Sequence, residues 1–260
     1  MNILVSNDDG INADGIRVLI KALSGVENAN IYVCAPDGQR SASGHSITMS
    51  GGPIFVTENE VPGTEWAQSL SGTPADCVKS GIKRLKREKG IDIDVVFSGI
   101  NHGSNIGTDV FYSGTVSAAV EGVLNGVPAV AVSVGTHHPT MEQLENCTTI
   151  IQDVCRNVLP KIGNGTVINI NFPDLPPSEL KGVKFCRMGP REYDEKFDIE
   201  TNPAGRKYYW YTGKLVHYDE LPGDPDVIAY QDGYVVVTPI QLDMTDYKLM
   251  EAMKDWGIKA

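Results

Sequence analysis

The sequence predicts a doubly wound α/β fold: a mostly parallel sheet between helix layers, a Rossmann-like three-layer sandwich with a C-terminal hairpin and helix extension. Three observations predict it. Short, wholly apolar runs recur from Met1 to about Phe172, as strands buried on both faces of a parallel sheet require. Segments with apolar residues at helical spacing alternate with them. After Phe172 the composition changes, and charged, aromatic and Pro/Asp-rich stretches replace that alternation.

Asn2 to Ser6 reads as the first strand, closing on Asn7-Asp8-Asp9-Gly10. Ile16, Leu19, Ile20 and Leu23 mark a helix with Gly25 as its C-cap. Ile31 to Ala35 is a second strand, stopped by Pro36-Asp37-Gly38, and a Ser- and Gly-rich loop runs to Gly52. Ile54 to Thr57 and Glu65 to Leu70 read as two short strands. Thr73 caps a helix with Pro74 in its first turn, Val78, Ile82 and Leu85 inward and Lys83, Lys86 and Arg87 outward. Val95 to Gly99 is a third core strand that runs into a loop reaching Asn105. A helix begins near Ser113, with Val116, Ala119, Val120, Val123 and Leu124 on one face; Pro128 ends it, and Ala129 to Val134 is a strand. Leu144, Cys147, Ile151, Val154 and Val158 mark another helix, closed by Pro160, and Thr166 to Ile170 the next strand. Beyond it, Gly189 to Gly205 reads as a charged loop. Arg206 to Thr212 and Gly233 to Thr238 read as strands flanking a Pro/Asp-rich stretch, and Thr245 to Trp256 as a final helix. The expected division is a catalytic α/β core over 1–185 and an extension over 186–260 that mediates oligomerisation and partly returns to the core.

Composition narrows the function. With 260 residues, 41% of them hydrophobic, the chain can bury a large core. Its net charge of -11 argues against sequence-independent binding of nucleic-acid duplexes, which rests on Lys and Arg neutralising phosphates. An acidic protein that handles an anion needs a local cation or a helix N-terminus to offset its own field. The five cysteines form no C-x-x-C pair and sit mostly in apolar patterns, which suggests reduced, buried thiols. The N-terminus lacks a basic n-region, its apolar run is only Ile3-Leu4-Val5, and no stretch reaches the length of a membrane span. A cytoplasmic protein without a membrane partner is expected.

In open α/β sheets, ligands bind beyond the carboxyl ends of the strands. Here those ends carry Asp8 and Asp9, then Ser41 and Ser43, then Asn101 and Asn105, and Ser113-Gly114-Thr115 opens a helix. Two adjacent carboxylates repel unless a cation lies beside them. Carboxylate, hydroxyl and amide oxygens are hard ligands that suit magnesium or manganese; no Cys/His cluster points to zinc. Asp-Asp-Gly also serves as an ordinary turn, and Ser113 as an ordinary N-cap. Yet Ser-Gly-Thr at a helix start also offers free N–H groups and hydroxyls to a phosphate. His45 and His102 are candidate acids or bases. Tyr208-Tyr209-Trp210-Tyr211 suits an oligomer interface or base stacking.

These motifs resemble the SurE survival-protein phosphatases. The resemblance rests on Asn7-Asp8-Asp9-Gly10 with Gly15-Ile16, Ala35-Pro36-Asp37 with Arg40-Ser41, Ser46-Ile47-Thr48, and Gly72-Thr73-Pro74-Ala75-Asp76-Cys77-Val78. Ser98-Gly99-Ile100-Asn101 and Tyr112-Ser113-Gly114-Thr115-Val116, with Ala118-Ala119 and Glu121-Gly122, complete it. The match is dense over residues 1–135 and thinner through 206–213 and Thr238-Pro239. It implies one divalent cation per subunit, magnesium or manganese, held by Asp8, Asp9, Ser41 and Asn101. It implies phosphate contacts from Ser113, Gly114 and Thr115 with Asn105 nearby, and a catalytic role for Asp8 and Asp9. The implied activity is that of a 5′-nucleotidase, hydrolysing nucleoside 5′- and 3′-monophosphates and extending to short polyphosphate, in a homodimer or homotetramer.

A magnesium-binding receiver-like signalling or nucleotide-binding module without turnover is the alternative. Such domains place a phosphoacceptor Asp after the third strand, where this chain has Asn101-His102. A haloacid-dehalogenase phosphatase separates its two Asp residues by one position, and a dinucleotide-binding enzyme carries G-x-G-x-x-G after the first strand; neither pattern is here. Whether Asp8 or Asp9 attacks phosphorus or holds the metal and orients water stays open at this level.

Overall fold

The computed structural model describes residues 1–49 and 51–257. In chain order the elements are β1 (Asn2–Ser6), α1 (Asp14–Ser24), β2 (Asn30–Pro36), β3 (Val56–Glu58), β4 (Trp66–Leu70), α2 (Pro74–Arg84), β5 (Val95–His102), α3 (Gly114–Leu124) and β6 (Ala129–Val134). They continue with α4 (Met141–Asn157), β7 (Thr166–Phe172), β8 (Val183–Phe185), β9 (Tyr193–Thr201), β10 (Lys207–Leu215), α5 (Asp226–Gln231), β11 (Val235–Gln241) and α6 (Tyr247–Met253). Nine strands form one sheet in the order β3-β4-β2-β1-β5-β6-β7-β11-β8, and β9 with β10 forms a separate two-stranded hairpin.

The apolar strands explain the layers. Successive side chains on a strand face opposite sides. Thus Ile3 and Val5 of β1, Val95 and Phe97 of β5, and Val130 and Val132 of β6 join one core with α1 and α4. Leu4, Val96, Ala129 and Ala131 face the other way and join a second core with α2 and α3. Helix α2 starts where expected: Thr73 and Asp76 form a reciprocal capping box, with Pro74 in the first turn.

β1 runs parallel to β2 on one side and to β5 on the other. The chain therefore leaves the centre of the sheet first in one direction and then in the other. Such a switch opens a crevice at the carboxyl ends of the two strands, and Asp8 and Asn101 lie there.

Several elements differ from expectation. β5 continues past Gly99 to His102, with a register shift against β6 between Ser98 and Asn101. At Gly99, φ is +132° and an added Cβ would lie 2.3 Å from the Val132 carbonyl oxygen, so the bulge requires glycine there. The stretch read as a charged loop, Gly189 to Gly205, contains β9, paired antiparallel with β10 from Tyr193↔Leu215 to Thr201↔Lys207. Charged residues alternate along it because both faces of the hairpin are exposed. β8 and α5 carry too few residues to announce themselves by periodicity. β11 pairs antiparallel with β7, and β8 parallel with β11, so the chain after Phe172 extends the main sheet. All five cysteines are free and buried. Among the described residues no helix is long and apolar enough to cross a membrane.

Candidate active site

The end of β1 is closed by its own side chain. Asn7 Nδ2 donates to the Gly10 carbonyl at 2.9 Å, and Asn7 Oδ1 accepts the Gly10 N–H at 3.1 Å. The following loop is drawn in by backbone bonds, Arg40 N–H to Asp8 O at 2.7 Å and Ile11 N–H to Pro36 O at 2.9 Å. Ser41 is thereby carried to the rim of the crevice beside Asp8. From the opposite side comes the first turn of α3, where Ser113 Oγ accepts the Val116 N–H at 3.0 Å and caps the helix. The Thr115 hydroxyl donates to Asp8 Oδ1. The approach needs Gly114: a Cβ there would lie 2.8 Å from both Cβ and Oδ2 of Asp8 and 2.9 Å from Ser43 Oγ.

Asp8 is only 4% exposed. Burial pushes its carboxyl up to about 6, the Asp9 charge acts in the same direction, and the Thr115 hydrogen bond opposes both. Asp9 is also raised by burial, with His102 and His137 pulling it back. Its Oδ2 accepts a long 3.4 Å hydrogen bond from the His102 N–H.

A cleft of about 700 Å³ opens over this junction, lined by Asp8, Ser41, Asn101, Asn105 and Ser113. Asn101 Nδ2 donates to Gly103 O at 2.7 Å, which leaves its amide oxygen for a ligand. Asn105 Nδ2 is committed to Ser133 Oγ at 2.9 Å, and its backbone N–H to Asn171 Oδ1 at 2.7 Å, with the same consequence. Asp9 borders an adjoining depression with His102, His137 and His138. Two sequence candidates sit elsewhere. Thr115 is fully buried, its hydroxyl on Asp8. His45 lies outside the cleft lining, with Nε2 2.9 Å from Oε2 of the buried Glu121, which Lys79 also approaches at 3.2 Å.

The donors fit a small, hard cation. Neither Asp8 nor Asp9 has a lysine or arginine among the groups that shift it. Ser43 Oγ, buried beside Gly114, has no hydrogen-bond partner among the described residues. Two adjacent carboxylates without a lysine or arginine partner, together with hydroxyl and amide oxygens, make a donor set that suits magnesium or manganese. Among the described residues no three His, Cys, Asp or Glu side chains gather as a zinc site would need.

The outer wall of the cleft was not foreseen. Tyr193, Glu195, Tyr211 and Gly213 of the β9–β10 hairpin line the same cleft as Asp8. Arg191 Nε lies 2.6 Å from Asp109 Oδ2, to which the Tyr193 hydroxyl donates at 2.7 Å, fixing the base of the hairpin to the loop after Asn105. The aromatic run at Tyr208 to Tyr211 was a signal of this wall, but its partner strand was hidden by alternating charge.

Comparison with known proteins identifies the family. Residues 3–195 match the family model described as Survival protein SurE. The chain is 45% identical over 257 residues to the 5′-nucleotidase SurE of Pelotomaculum thermopropionicum, spanning 98% of this chain and 94% of that one. It is 42% identical over 254 residues to the 5′-nucleotidase SurE of Syntrophomonas wolfei subsp. wolfei, spanning 96% and 92%. The crystal structure of the SurE protein from Aquifex aeolicus superposes with a TM-score of 0.80 at 35% identity, over 98% of both chains. Acidic pair, crevice and helix turn thus occur in a chain matched nearly end to end, and this protein belongs to the SurE family.

Proposed function

We propose that this chain is a divalent-metal-dependent phosphomonoesterase that hydrolyses nucleoside 5′- and 3′-monophosphates to nucleoside and phosphate, with short polyphosphate as a further substrate. The observation that carries the proposal is the meeting of Asp8, the first of the adjacent carboxylates, with the N-terminal turn of α3 at the cleft. The names of the relatives, 5′-nucleotidases, support the same reading.

In this reading Asp8, Asp9, Ser41 and Asn101 hold one magnesium or manganese ion per subunit. The ion supplies positive charge that stabilises the transferring phosphoryl group and activates a water. The chain's own residues do the rest. The start of α3 at Ser113 and Gly114 receives the phosphate oxygens, and Asn105 flanks it. Gly114 permits close approach because it carries no Cβ. Thr115 holds Asp8 in one orientation through its hydroxyl. Water attacks phosphorus, the bond from phosphorus to the ester oxygen breaks, and the nucleoside leaves with a proton on that oxygen. Asp8 and Asp9 are assigned to holding the cation and orienting that water. The hairpin residues Tyr193 and Tyr211 lie where the nucleoside would extend.

We further assign 186–260 as the extension that forms a homodimer or homotetramer, since Phe197, Ile199, Tyr209, Trp210 and Tyr211 are each more than half exposed on the hairpin. A cytoplasmic setting suits the free, buried thiols. The test is phosphate release from AMP with manganese, with magnesium and after exhaustive chelation. Chelation should abolish turnover and either ion restore it. Full activity without metal, or no phosphate release under any condition, overturns the proposal.

A further inference from the structure

Asp226 is the first residue of α5 and is fully buried, far in sequence from the acidic pair. Its carboxylate accepts three backbone hydrogen bonds. Oδ2 takes the Gly107 N–H at 2.8 Å; Oδ1 takes the Gly189 N–H at 2.8 Å and the Val227 N–H at 2.9 Å. Gly107 belongs to the loop that carries Asn105; Gly189 leads into Arg191 and the hairpin. One carboxylate thus ties the loop after β5 to the strand that enters the hairpin.

The two segments then run side by side towards the cleft. The Thr108 hydroxyl donates to Arg191 O at 3.0 Å and accepts the Arg191 N–H at 3.1 Å. Arg191 Nε meets Asp109 Oδ2 at 2.6 Å, and the seam ends at the cleft with the Tyr193 hydroxyl on the same carboxylate. Packing leaves no slack: a Cβ at Gly107 would lie 2.7 Å from Gly189 O, and one at Gly189 2.7 Å from Val227 Cγ2. Asp8 is held independently, by Thr115 and the Arg40 N–H.

We infer that Asp226 is a positioning residue for nucleotide recognition: by locking residues 107–109 to 189–193 it sets the nucleoside side of the cleft, while the acidic pair keeps its own supports. The inference rests on the nucleotidase reading. A carboxylate is required because both oxygens accept N–H bonds; a carboxamide has one such oxygen and would turn its NH2 towards a backbone donor. With the seam loosened, Tyr193 and residues 107–109 no longer hold one spacing, and the nucleoside loses its seat, while Asn105 keeps its bonds to Ser133 and Asn171.

The experiment compares AMP with p-nitrophenyl phosphate, whose activated leaving group needs no seated nucleoside, in manganese-loaded wild type, Asp226→Asn and Thr108→Val. Asp226→Asn should raise KM for AMP by about tenfold with kcat changed by less than about threefold, and kcat/KM for p-nitrophenyl phosphate should change by less than about threefold. The manganese-induced rise in Tm should match wild type. Thr108→Val, a mild change at a half-buried site, should raise KM for AMP by about fivefold while its kcat and its kcat/KM for p-nitrophenyl phosphate stay within about 1.5-fold of wild type, and it decides the matter if Asp226→Asn does not fold. Parallel losses on both substrates, or none on either, overturn the inference. If wild type releases no phosphate from AMP, the nucleotidase reading fails and this inference with it.

Discussion

The hydroxyl of Thr115 donates to Oδ1 of Asp8, joining the first turn of α3 to the end of β1. The sequence suggested that this hydroxyl faces a phosphate; in the structure it orients a carboxylate instead. Groups that orient a metal-binding carboxylate commonly change affinity or activity by about 10–100-fold when removed. Thr115→Val should therefore weaken manganese binding and AMP turnover by about that factor. It should also raise the Asp8 carboxyl further, because this hydrogen bond draws it down. Calorimetric titration with manganese beside a turnover assay checks this; wild-type values in both would remove Thr115 from the site.

Asp9→Asn keeps the size of the side chain and removes its charge. Turnover should fall by orders of magnitude, because the cation loses an anchor. Without metal the variant should melt no lower than wild type, since repulsion within the pair is gone. With manganese, wild type should regain the lead by ligand linkage. The same manganese-induced shift and the same AMP rate in both proteins would contradict a role for Asp9 in metal binding.

The metal-free protein should show a pH signature of Asp8. Its carboxyl ionises near 6 in the fold and near 3.8 in an exposed chain. Between those values the folded state holds a proton that the unfolded state has released, so stability falls as pH rises from about 4 to about 6. The share of this one group is on the order of 3 kcal/mol. Asp76, held low by hydrogen bonds from Thr48 and Thr73, contributes the opposite slope at lower pH. Asp8→Asn should remove the Asp8 share of the fall between about 4 and 6, while Asp9, also raised by burial, keeps a fall of its own. Chemical denaturation in EDTA across that range, giving parallel curves for the two proteins, would show that Asp8 has an ordinary pKa.

Light scattering at micromolar concentration should report at least a dimer. On the hairpin, Phe197 stacks edge-on against Tyr209 at 6.5 Å, on a face the chain itself does not cover. Phe197→Glu combined with Tyr209→Lys should shift the protein towards monomer while leaving far-UV circular dichroism unchanged. A wild-type monomer would end the assignment of this region to assembly.

The parallel strands were legible because two-sided burial writes them as unbroken apolar runs: Ile3-Leu4-Val5, Val95-Val96-Phe97 and Ala129 to Val132 needed no further context. The acidic pair was legible because polar residues at a strand end contradict the run before them. What escaped depends on distant partners. Among the described residues β9 pairs with β10 alone, and it alternates Asp194, Lys196, Asp198 and Glu200, so its charge looked like a loop. His45 looked like a candidate acid because nothing local reveals Glu121 beside it. Asp226 drew no notice because a Pro-Asp step before a short helix reads as a cap, and the N–H groups it serves come from Gly107 and Gly189.

The antiparallel pairing of β11 with β7 has a consequence for synthesis on the ribosome. β7 is complete at Phe172, but its outer edge finds no partner until Val235 to Gln241 has been made. At about 5–20 residues per second the gap lasts several seconds, during which an apolar strand presents unpaired N–H and C=O groups to whatever strand is near. The charged hairpin is translated within that interval. A nascent chain stalled in this window is the species on which a chaperone, or a misfolded neighbour, would act.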